Sequence, residues 1–91
     1  MDKRMNAGYE IINSITVGKS EIVLGYNENA SSKYGTWQCT NGDNYFWGHY
    51  IDDKLKAQRD FLERGLKEIE IAERVHKPKN KEMERKCYDL Q

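Results

Sequence analysis

Tyr34-Gly35-Thr36-Trp37-Gln38-Cys39-Thr40-Asn41-Gly42-Asp43-Asn44-Tyr45-Phe46-Trp47-Gly48-His49-Tyr50 is the stretch on which the fold turns. Two aromatic-rich runs flank an Asn-Gly pair. That dipeptide accepts positive φ at both central positions of a type I′ turn, so the stretch reads as a β-hairpin. With Asn41-Gly42 at the centre, Trp37 opposes Phe46, Thr36 opposes Trp47, Gln38 opposes Tyr45 and Tyr34 opposes His49. Opposed residues share a face. One face then holds Trp37, Cys39, Phe46 and Tyr50, with Gly35 and Gly48 leaving room for close packing. The other holds Tyr34, Thr36, Gln38, Tyr45, Trp47 and His49. The first is nearly free of polar groups and is expected to close the core. The second is expected to stay outside.

Upstream, residues 9–17 and 20–26 read as two strands joined at Gly18-Lys19, a type II′ turn with Gly first. This register sets Ile15 opposite Ile22 and Ile11 opposite Tyr26. Tyr9, Ile11, Ile15, Val17, Ile22, Leu24 and Tyr26 then share one face, which a one-residue slip would break up. Asn27 to Lys33 is small and polar, a loop.

Downstream, the composition changes near residue 51 to a chain dense in Lys, Glu, Arg and Leu. Asp52 suits an N-cap, and Asp53 adds a favourable first-turn charge. A helix is expected over about 52–76, with Leu55, Phe61, Leu62, Leu66, Ile69 and Ala72 as its apolar stripe and Gly65 in the same stripe. Pro78 ends it. A short second helix over about 80–90 would place Met83, Cys87 and Leu90 on one side. The fold class is therefore α+β: a four-stranded antiparallel sheet of two hairpins over about 9–50, packed on one long C-terminal helix. Such a helix runs about 37 Å, whereas a seven-residue strand spans about 24 Å. The helix overhangs the sheet, and its far end carries Ile71 and Val75 as a ridge that needs a cover.

Ninety-one residues make one domain, 1–91, with a thin core. A second copy of the chain, as a homodimer, is one way to thicken it. Lysine plus arginine equals aspartate plus glutamate, 15 each, which argues against a dedicated nucleic-acid coat. No apolar run suits a membrane span and no signal region follows the N-terminus, so an intracellular, cytoplasmic setting is expected. In that setting Cys39 and Cys87 read as free thiols.

No catalytic constellation emerges. Cys39 and His49 fall on opposite faces of the hairpin and do not form a dyad. His49 with Asp52 and Asp53 lacks the further ligands a metal needs. There is no phosphate-binding glycine loop, and no cofactor is expected. The expected contact surface is Tyr34, Tyr45, Trp47 and His49 on the sheet with Ile71 and Val75 on the helix, because aromatic anchors dominate protein interfaces. The alternative is a nucleic-acid binder, in which these rings stack bases and Arg74, Lys77, Lys79 and Lys81 reach phosphates.

Gly8-Tyr9-Glu10-Ile11-Ile12-Asn13-Ser14-Ile15, Glu21-Ile22-Val23-Leu24-Gly25, Trp37, Tyr45-Phe46-Trp47-Gly48-His49-Tyr50 and Asp60-Phe61-Leu62-Glu63-Arg64 together resemble small proteins encoded on phages, plasmids and conjugative elements of gut Firmicutes. The resemblance covers about residues 8–70. The opening strands also resemble, more loosely, the N-terminal part of a type II anti-CRISPR group. The motifs that carry the resemblance are not catalytic signatures and carry over no family active site. The resemblance implies a mobile-element accessory protein in the cytoplasm of a bacterial host cell. Its expected role is non-enzymatic inhibition of a host defence protein, with a Cas nuclease as the protein target.

Overall fold

A computed structural model describes residues 3–76. Five antiparallel strands lie in sequence order in one sheet: β1 (Met5–Asn6), β2 (Tyr9–Val17), β3 (Ser20–Tyr26), β4 (Tyr34–Thr40) and β5 (Asn44–Ile51). One long helix, α1 (Lys54–His76), follows them. The α+β class, the two expected hairpins and the long helix are present. The sheet has five strands, not four. The extra strand is only two residues long and is turned onto β2 through Ala7 and Gly8, both at positive φ. The expected second helix over 80–90, with Met83, Cys87 and Leu90, lies outside the described residues.

The first hairpin keeps its expected turn. Gly18 has a φ of 61° and Lys19 does not, as type II′ requires, and Ile15 opposes Ile22. The pairing then shifts between Ile11 and Asn13, so Ile11 opposes Gly25 instead of Tyr26. Ile12 is the extra residue of this β-bulge and stands exposed. A bulge flips the parity of everything beyond it. Tyr9 and Ile11 therefore leave the face of Ile15, Ile22 and Leu24 and pack on Val23 and Trp37.

The second hairpin corrects the expected register. Asn41 and Gly42 both take positive φ, but Asp43 also joins the loop, so Thr40 pairs with Asn44. Cys39 then opposes Tyr45 and Gln38 opposes Phe46, one step from the expected pairs. A second bulge puts Trp47 and Gly48 opposite the single residue Trp37, after which Thr36 pairs with His49 and Tyr34 with Ile51.

As a result, α1 covers the face expected to lie outside. Its Ala57 and Phe61 form one core with Ile22 and Leu24, flanked by Ile15, Tyr34 and Ile51. The fully buried Thr36 also lies beneath the helix, where it donates to Asp60. Trp37 and Cys39 are buried as expected, but on the reverse face, where Trp37 forms a second cluster with Tyr9 and Val23. Tyr50, expected in the core, is 54% exposed, and Phe46 shares a face with Gln38 beneath the helix. Among the described residues no helix covers the reverse face. There the Tyr9 hydroxyl donates to the Ser32 carbonyl at 2.6 Å, which ties loop 27–33 across the cluster. Ala30 packs on the cluster from that loop.

Asp53, not Asp52, caps the helix: its carboxylate accepts from the Lys56 amide at 2.9 Å. Only part of the expected apolar stripe is buried: Phe61 and Gly65 face the sheet, joined by Ala57, while Leu55, Leu62, Leu66 and Ile69 are exposed. Polar residues explain the rotation. Asp60, Arg64 and Glu68, spaced by four, reach Thr36, His49 and Gln38, and so fix which side of the helix meets the sheet.

Candidate binding cleft

The bulge in β5 places Trp47 in a conformation that bulky side chains rarely adopt, with a φ of 54°. Held there, Trp47 is 69% exposed. Its ring meets Phe46 edge to face, with centroids 4.9 Å apart. It overhangs a cleft of about 260 Å³ whose other walls are Ile22 and Gln38 of the sheet and Arg64, Lys67, Glu68 and Ile71 of α1. The floor is apolar, from Ile22 and Ile71, and the rim is polar. Arg64 donates to the Thr36 hydroxyl at 3.1 Å and to its carbonyl at 3.3 Å. Burial lowers the Arg64 pKa, and the charges of Asp60 and Glu68 work against that shift. The Gln38 amide donates to Glu68 at 3.3 Å. The cleft thus offers an aromatic lip, an aliphatic floor, and a cation and an anion, Arg64 and Glu68, each positioned by hydrogen bonds to the sheet.

The expected contact residues do not form one surface. Trp47 and Ile71 do meet, in this cleft. Val75 lies one turn farther along the overhanging end of α1 and is exposed. Tyr34 is half-buried against the helix-side core and against Tyr26. Tyr45 sits on the reverse face, edge-on to Trp37, and its hydroxyl accepts from Arg4 at 2.7 Å. The continuous platform of rings that base stacking needs is therefore absent. Of the expected phosphate contacts, Arg74 is exposed on α1, and Lys77, Lys79 and Lys81 lie outside the described residues.

His49 bonds Asp60, not Asp52 or Asp53: its Nδ1 lies 3.0 Å and 3.1 Å from the two carboxylate oxygens. A carboxylate only accepts, so Nδ1 carries the proton. With Thr36 and Arg64 this links β4, β5 and α1. Cys39 lies on the other side of the sheet from His49, as expected. Burial pushes its thiol pKa up, which suppresses the thiolate a nucleophile needs. Among the described residues no group of His, Cys, Asp and Glu is arranged to hold a metal ion, and no helix is long and apolar enough to cross a membrane.

Two features escaped the sequence reading. Arg64, Lys67 and Glu68 were legible only as a charged helix surface. Arg4 carried no local signal. It forms a two-pronged ion pair with Glu21, at 2.7 and 2.8 Å, and so clamps the N-terminal arm over Cys39 and Tyr45. Compared with known protein families, with characterised proteins and with solved structures, the chain matches none.

Proposed function

We propose that the chain is a non-enzymatic protein-binding domain that contacts its target through the Trp47 cleft. In keeping with the resemblance to mobile-element proteins, the proposed role is inhibition of a bacterial defence protein, a Cas effector. The observation that supports the contact site is Trp47 itself. A backbone outlier of this kind costs roughly 1–3 kcal/mol and persists where function uses it. Here it sets a largely exposed tryptophan beside an aliphatic pocket. Tryptophan is the residue type most enriched at binding hot spots, and arginine also ranks high. Inhibition then needs only occlusion of a working surface, with no chemistry on the inhibitor.

Binding of the purified chain to purified Cas effectors, measured by calorimetry, tests this. Trp47→Ala and Ile71→Glu are each expected to weaken binding by at least about 30-fold, a hot-spot loss of about 2 kcal/mol. Equal binding by wild type and both variants would show that the contact lies elsewhere. Absence of binding to every effector would reject the target.

A further inference from the structure

Leu55, Leu62, Leu66 and Ile69 line one flank of α1 that nothing covers among the described residues. Leu62 is 58% and Leu66 56% exposed. Leu55 and Leu62 also border a shallow groove with Lys56, Gln58, Arg59 and Glu63. With Arg59 and Glu73, both exposed, the four aliphatic residues follow one another at spacings of four, three, four, three and four. Such alternation is the seam of a coiled coil, whose a and d residues meet a neighbouring helix. The flank buried on the sheet is poorer in large apolar groups: of Ala57, Phe61 and Gly65, only Phe61 is large.

Charge identifies the neighbour. The first turns of α1 carry Lys54, Lys56 and Arg59; their first acidic residue, Asp60, is turned inward to Thr36 and His49. The later turns expose Glu73, with Lys67, Glu70 and Arg74 balancing in charge around it. A second copy running antiparallel brings Arg59 near Glu73 twice, whereas a parallel copy sets Arg59 beside Arg59 and Glu73 beside Glu73. In the register that sets Leu62 against Leu66 of the second copy, Arg59 lies level with the other Ile69, and Leu55 with the other Glu73. Helical side chains lean toward their own N-terminus. In an antiparallel pair, Arg59 and Glu73 therefore lean toward each other. Within the chain, Arg59 is held only by an exposed contact to Glu63 at 3.8 Å, a pair of little worth.

We propose that the chain forms a two-fold homodimer by antiparallel pairing of α1 along Leu55, Leu62, Leu66 and Ile69. Ile71 is nine residues from Leu62, about half a turn around the helix beyond two full turns. The Trp47 cleft therefore stays open in both copies, and the dimer presents it twice.

The test is the solution mass of the full chain by sedimentation equilibrium, with far-UV circular dichroism as the folding control. At about 100 µM, where a moderate dimer is populated, the expected mass is twice the 10.7 kDa of the chain. Leu66→Asp is expected to halve it with helicity retained. Arg59→Glu is expected to shift the protein toward monomer, and Arg59→Glu combined with Glu73→Arg to restore the dimer. Should Leu66→Asp unfold, the two charge variants decide. A wild-type mass of one chain, a dimer undisturbed by folded Leu66→Asp, or failure of the paired reversal to restore association would overturn the proposal. A monomer that still binds its target through Trp47 would overturn the dimer alone and leave the cleft in place.

Discussion

At the scale of single residues, stability and binding part company. Trp47 contributes little burial but holds a left-handed backbone, which costs a non-glycine residue about 1–2 kcal/mol. Glycine removes that cost, although it loses the Phe46 contact and adds chain entropy. Trp47→Gly is thus expected to leave the unfolding free energy within about 1 kcal/mol of wild type by urea titration. The same variant is expected to lose target binding. A residue kept for packing would show the reverse. Arg4 behaves oppositely. Its hydrogen bond lowers the Glu21 pKa from the ordinary 4.5, and Glu21 is only 17% exposed. A carboxylate with a depressed folded pKa adds stability above its unfolded pKa, and that stability is lost as pH falls through the folded value. The stability gap between wild type and Arg4→Met is therefore expected at neutral pH and should shrink as pH drops below 4.5. Denaturant titrations across the acid range would show it; a gap independent of pH would place the Arg4 contribution in packing instead.

At the scale of elements, two glycines in similar-looking positions are expected to differ. A Cβ at Gly35 would sit 2.5 Å from the Trp37 ring, which is fixed on all sides by Tyr9, Tyr45 and Tyr50. Gly35→Ala is expected to cost about 1–3 kcal/mol, the usual toll of overpacking. A Cβ at Gly65 would meet only the Ile15 Cδ1, at 2.9 Å, the far end of a side chain that can turn away. The helix gains about 1 kcal/mol from losing that glycine. Gly65→Ala is expected to be neutral or stabilising, and thermal melts of the two variants would separate them. This contrast also shows what was legible. Turn residues placed both main hairpins and the Asp52-Asp53 pair placed the start of the helix, because those signals are local. Two inserted residues hid the sides of the strands: Ile12 in β2, which reverses Tyr9 and Ile11, and Asp43 in the second turn, which reverses Tyr45 and Phe46 until the bulge at Trp47-Gly48 returns His49 and Tyr50 to their expected sides. None of these carries a compositional mark. The aliphatic stripe of α1 misled for a different reason. Its spacing is helical, but hydrogen bonds from Asp60, Arg64 and Glu68 decide which side meets the sheet, and their partners lie eleven to thirty residues away. Of the cleft, Trp47 and Ile71 were visible as candidates; that they meet was not.

At the scale of the whole molecule, the proposed assembly uses one flank of the helix for a target and another for a second copy. Linked clefts convert a second contact with a repeated target into an intramolecular event, which raises avidity without a new interface. The sheet has two rims. The short β1 blunts one, where it pairs with only Asn6 and Met5 against β2. The other is β5, eight residues long and unpaired on its outer side among the described residues. A flat open rim invites copies to add on endlessly as fibres, and a bulge twists the rim so that they cannot. The kink that displays Trp47 thus also guards solubility. Variants that straighten β5 by deleting Gly48 are expected to turn thioflavin-positive on storage, while wild type remains clear.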